Sequence, residues 1–182
     1  MTEVREVGVA IRKLGRVLLP VMAFGLALTA CSSKAADGAG QATEAPASAS
    51  AHPASAHPVS GLPVVDLTVT HLRAVHRFRV EVARTGPEQE KGLMFRTALG
   101  ADEGMIFPME APRLASFWMK NTVIPLDILF IGFDRRVINI AVNAIPYDET
   151  PLSSARPAIA VLELRGGRAA ELGIAAGDKV DW

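Results

Sequence analysis

Residues Ser116 to Ile131, SFWMKNTVIPLDILFI, constrain the fold more than any other stretch. Two apolar runs flank a small polar knot, Lys120-Asn121-Thr122, so the chain must leave a core and re-enter it within a few residues. The second run, Val123 to Ile131, reads as a buried strand carrying one carboxylate, Asp127, between Leu126 and Ile128. Such a carboxylate is costly to bury unless a cation or several N–H groups meet it. Asp127 is expected to anchor the Lys120-Asn121-Thr122 loop; the sharper alternative makes it a general base or a substrate-binding group.

The first thirty residues read as an address. Arg5, Arg12, Lys13 and Arg16 precede an apolar run from Val17 to Ala30. That run is short for a bilayer span, which needs about 20 apolar residues, and has the shape of an export signal. It ends in Leu28-Thr29-Ala30-Cys31, which resembles the bacterial lipobox. The resemblance implies cleavage before Cys31 and lipid on its sulfur, with several acyl chains giving a durable anchor. Ser32 stands where an Asp would resemble an inner-membrane retention signal, so the expected location is the outer membrane, facing the periplasm. With Cys31 the single cysteine, no disulfide framework forms within one chain.

Residues 31–61 are rich in Ala, Ser, Pro and Gly, a composition that cannot bury enough surface to offset the entropy of ordering. They read as a flexible tether of about 30 Å mean span. His52 and His57 within it are expected to be solvated, not metal-bound. Residues 62–182 then form one domain of about 120 residues. The chain carries 19 basic and 19 acidic residues, and the part after the export signal is slightly acidic. No basic face is implied, so nucleic acid is not an expected partner.

Within the domain, Asp66 to Leu72 reads as a strand with Leu67 and Val69 on one face. His76 to Ala83 alternates, with Phe78, Val80 and Val82 opposed to Arg77, Arg79 and Glu81. Thr85-Gly-Pro-Glu88 fits a capping box, predicting a helix from Gly86 to about Met94. Gly104 to Phe107, stopped by Pro108, and Arg113 to Met119 read as strands. A hairpin at Gly132 to Arg135 returns through Arg136 to Val142. Ala158 to Leu164 is the last apolar strand. Arg168 to Leu172 can form a helical turn or two ended by Gly173, before a short strand at Val180. The expected class is α+β, mainly β: a curved antiparallel or mixed sheet, barrel-like closure included, with two short helices on one side.

Several segments occur in a family's order: Gly92-Leu93-Met94-Phe95-Arg96, Gly104-Met105-Ile106-Phe107, Phe117-Trp118-Met119-Lys120-Asn121-Thr122, Ile124-Pro125-Leu126-Asp127, Val161-Leu162-Glu163-Leu164 and Gly177-Asp178. They resemble the domain of unknown function 192 family across nearly all of Leu62 to Trp182. The resemblance implies a small, mainly β, often exported domain and no established activity. Pro157-Ala158-Ile159 stands where the family pattern leads one to expect a tyrosine, so no role of that tyrosine carries over.

Trp118 and Met119 must point to opposite faces of a strand, so one of them leaves the core. An exposed Trp118 beside Lys120 and Asn121 would form a binding platform. Met94, Met105, Met109 and Met119 suggest an adaptable lining. Glu163, between Leu162 and Leu164, is expected to face solvent. No nucleophile elbow, phosphate loop or metal-ligand spacing is present, and His71 and His76 fall on early strands. No cofactor or metal is expected. The primary expectation is a non-enzymatic envelope module that binds a glycan, a peptide or an envelope protein around Trp118, Met119, Lys120, Asn121 and Asp127. The alternative is a small hydrolase or lyase acting on cell-wall material through Asp127 and Glu163, which requires both carboxylates in one cleft.

Overall fold

The computed structural model describes residues 55–182. The export segment, Cys31, His52 and the tether as far as residue 54 lie outside the described residues. The elements are β1 (Ser55–Ala56), β2 (Pro63–His71), β3 (Ala74–Val82), α1 (Gly86–Lys91), β4 (Glu103–Arg113), β5 (Ser116–Phe117), β6 (Leu126–Ile131), β7 (Val137–Ala144), β8 (Leu152–Ser153), β9 (Ala158–Arg165), α2 (Arg168–Leu172) and β10 (Lys179–Asp181).

Eight strands form one mixed sheet in the order β1-β2-β3-β4-β9-β6-β7, with β10 also on β2. β3 and β4 run parallel, which α1 permits by carrying the chain over the sheet between them. A single bridge, Arg136 to Lys179, links the β7 end to β10. The sheet therefore curves back on itself without closing as a barrel.

β6 explains why this curvature is stable. All six of its residues are buried, as expected for a strand covered on both faces. Leu129 and Ile131 join one apolar cluster with Leu67, Phe78, Val80, Leu162 and Ala169. Leu126, Ile128 and Phe130 join a second with Leu93, Met105, Phe107, Met119 and Val161. α2 closes the first face through Ala169. The loop after α1 closes the second through Leu93 and Leu99. The helices thus serve opposite faces, not the one side expected, because an apolar sheet covered on both faces needs a lid on each.

The capping box at Thr85 and Glu88 is present, but α1 stops at Lys91 because Gly92 turns the chain at φ +45°. β4 continues past Pro108 to Arg113; the missing proline N–H is absorbed by a register shift between Pro108 and Arg113. Of the expected Arg113–Met119 strand, Arg113 ends β4 opposite Ala158, and Ser116–Phe117 alone form a separate small ribbon with β8.

Glu81, expected on the solvated face of β3, is 2 % exposed. Nη2 of Arg96 donates to both its oxygens at 2.8 and 2.7 Å. Ser60 donates to the same carboxylate, and Nδ1 of His57 lies 3.6 Å away. The end of the expected tether therefore packs on the fold, with β1 paired to β2 and His57 half-buried, not solvated.

Candidate functional site

A cleft of about 530 Å³ opens on the face covered by the second apolar cluster. Its wall begins at the turn after α1. A Cβ on Gly92 would meet the Phe107 ring at 3.3 Å, so glycine there permits both the left-handed turn and the close approach. Phe107 and Phe117 meet edge to face at 5.1 Å and line the interior with Leu93 and Met94.

The polar knot forms the rim. Phe95 donates its N–H to the Asn121 carbonyl (2.9 Å), Tyr147 to that of Thr122 (3.2 Å) and Met119 to that of Asp148 (2.8 Å). Phe95, Asn121 and Tyr147 all hold positive φ, at 63°, 54° and 62°. Left-handed backbone costs a non-glycine residue about 1–2 kcal/mol, and such residues collect where surrounding structure fixes a site. Three loops are thereby locked together around Lys120. Trp118 is 50 % exposed while Met119 is 1 % exposed, which resolves the expected division between them. The Lys120 ammonium lies 5.1 Å from the Trp118 ring centroid. Lys91, Arg113 and Glu90 also line the cleft.

Glu163 belongs to the floor. Its register partners are Met105 on β4 and Ile128 on β6, both members of the second cluster. The side chain is 5 % exposed, not solvent-facing as expected. Its buried Oε2 meets no hydrogen-bond partner. Burial pushes the Glu163 carboxyl up to about 8, with no neighbouring charge to offset it. At neutral pH it therefore keeps its proton and presents an O–H donor in an apolar cleft.

Asp127 lies elsewhere. It pairs in register with Leu164, a member of the first cluster, so it faces the opposite side of the sheet from Glu163. It is 0 % exposed and accepts three backbone N–H bonds: from Asn143 at 2.7 Å, Gly167 at 3.1 Å and Ala169 at 2.7 Å. These tie β7 and the α2 entry to β6. The anchored segments are not the Lys120-Asn121-Thr122 loop, which is held by backbone bonds of its own.

The fold thus gathers Trp118, Lys120, Asn121 and Glu163 around one cleft, and Asp127 and Met119 do not line it. Of the four methionines expected to form a lining, Met94 lines this cleft, Met105 and Met119 are core, and Met109 lines a neighbouring cleft of about 340 Å³. Lys91, Arg113 and Phe117 were not singled out from the sequence. Their place depends on the α1 turn and the β4 bulge, which no local motif announces. His71 is held by Asp178, its Nδ1 lying 3.0 Å from a carboxylate oxygen.

The DUF192 family model, described as "Uncharacterized ACR", matches residues 67–182. No curated protein matches the chain. A crystal structure of a protein of unknown function from Novosphingobium aromaticivorans is similar at 63% identity and TM-score 0.70, over 73% of this chain and 94% of that one. A "putative transcription regulator" from Sinorhizobium meliloti is similar at 36% identity and TM-score 0.62, over 64% of this chain and 91% of that one. The match spans both the polar knot and the Glu163 strand, and the chain belongs to the DUF192 family.

Proposed function

We propose that this protein is a ligand-binding module of the cell envelope, exported by residues 1–30, held by lipid on Cys31 at the outer membrane, and non-catalytic. The observation that carries the binding role is Glu163, a buried carboxyl without a partner, aimed into a cleft whose rim is fixed by three loops. A polar group left unpaired in an apolar site costs stability, and a ligand group that hydrogen-bonds to it recovers that cost. The ligand is a glycan, a peptide or another envelope protein. The hydrolase or lyase alternative is not favoured, because Asp127 and Glu163 face opposite sides of the sheet.

The test places a photoreactive aryl-ketone residue at Glu90, on the cleft wall, in the full chain expressed in cells. Irradiation is expected to give a covalent adduct that disappears when Glu163→Leu is added. Cys31→Ala is expected to move the protein from membranes to the soluble fraction. An adduct indifferent to Glu163→Leu, or none, would overturn the binding role. A soluble wild type with an unmodified cysteine would overturn the anchor.

A further inference from the structure

The cleft has a polarity that narrows its ligand. Its interior combines an uncharged donor, the Glu163 carboxyl, with the paired Phe107 and Phe117 rings. Its mouth carries three cations, Lys91, Arg113 and Lys120, against one anion, Glu90. A complementary ligand offers a hydrogen-bond acceptor with a small apolar group at its inner end and a carboxylate at its outer end. Its middle lies against a half-exposed Trp118, which favours the flat apolar face of a sugar ring.

The topology argues against an extended peptide. Strand addition needs a free sheet edge, whereas Glu163 sits on β9, which is paired on both sides by β4 and β6. The volume, about 530 Å³, matches small-molecule clefts of about 300–1,000 Å³. A cationic ligand fits poorly, because it would have to pass Lys91, Arg113 and Lys120.

Resting on the cleft as the ligand site, we propose that it binds a carboxylate-bearing N-acetylated sugar. The acetamido carbonyl accepts from the Glu163 carboxyl, the acetyl methyl packs on Phe107 and Phe117, the ring lies on Trp118, and the carboxylate meets Lys120 and Arg113. The protonated state of Glu163 at neutral pH supports the donor role.

Two sources share this chemistry: muramic-type sugars of the cell wall and sialic-type sugars of surface glycans. The experiment follows the Trp118 indole N–H resonance of the full chain in detergent during titration. The probes are N-acetylmuramic acid, N-acetylneuraminic acid, muramic acid, N-acetylglucosamine and acetyl-D-Ala-D-Ala. Saturable shifts are expected with one or both N-acetylated acids, and the tighter one identifies the source. Muramic acid, which lacks the acetyl, and N-acetylglucosamine, which lacks the carboxylate, are expected to bind about tenfold more weakly or worse. Lys120→Ala, at an exposed side chain, is expected to weaken binding by about tenfold. Glu163→Gln, whose amide still donates, is expected to stay within about threefold, while Glu163→Leu abolishes binding. Equal binding of N-acetylglucosamine or muramic acid overturns the proposal. So does a response to the dipeptide alone, which leaves the binding role standing. Silence towards every probe together with a Glu163-dependent adduct in cells overturns the sugar assignment alone; silence without an adduct overturns both.

Discussion

Two carboxylates lie one register step apart on neighbouring strands, and the fold treats them in opposite ways. Asp127 on β6 faces the α2 side and receives three backbone N–H groups. Glu163 on β9 faces the cleft, and its buried Oε2 receives none. Both are nearly inaccessible to solvent, so burial alone does not separate a structural acid from a site acid. The donors do. Where backbone N–H groups converge, the acid organises the chain. Where the pocket supplies none, the acid stays unpaired, which is the basis of the proposed binding role. Glu81 adds a third arrangement, a buried carboxylate neutralised by Arg96.

Substitutions at these acids and their partners, and deletions in the tether, separate the three arrangements. The largest effect belongs to Arg96→Met, which strands Glu81 as an unpaired buried charge. It is expected to destabilise by about 3–5 kcal/mol, read as a lowered denaturant midpoint at neutral pH. Asp127→Asn comes next, because an amide cannot accept all three N–H bonds with full charge. A loss of about 2–3 kcal/mol is expected; an unchanged midpoint would mean that Asp127 is not the anchor.

Glu163→Gln is expected to move stability the other way. Burial pushes the folded carboxyl up to about 8, against 4.5 for an ordinary glutamate. With its folded value raised, the protonated acid's contribution is fully present below the unfolded value and is lost as pH rises through the folded one. The gain of the Gln variant over wild type is therefore small near pH 5 and grows towards pH 8. The increase is on the order of 2 kcal/mol between pH 5 and 7. A pH-independent difference would contradict it. The smallest effect is expected from deleting residues 33–54, with a change within about 0.5 kcal/mol. Extending the deletion through Gly61 removes Ser60 and His57 from Glu81 and is expected to lower the thermal midpoint clearly.

Much of the fold was legible because local chemistry and tertiary structure agree. The β3 alternation, the Thr85–Glu88 capping box, the hairpin after Ile131 and the left-handed Gly173 all follow from short-range rules. Boundaries failed where tertiary context overruled a local signal. Pro108 reads as a stop, yet a bulge carries β4 through it. Strand alternation puts Glu81 among solvated residues, and an arginine fifteen positions on pulls it inside. The site was legible in part. The knot and Glu163 were visible as unusual residues, but which carboxylate faced which side depends on β9 pairing with β4 and β6. One register step decides it, and no sequence window spans that step.

The most direct test of the contrast is the side-chain carboxyl carbon of Glu163, followed by NMR from pH 4 to pH 10 in the folded protein. The expected midpoint is near 8, with loss of the proton as the only transition of that resonance. A midpoint in the ordinary carboxylate range, near 4.5, would show that Glu163 has found partners or solvent, and the cleft would lose the donor on which the proposed binding rests.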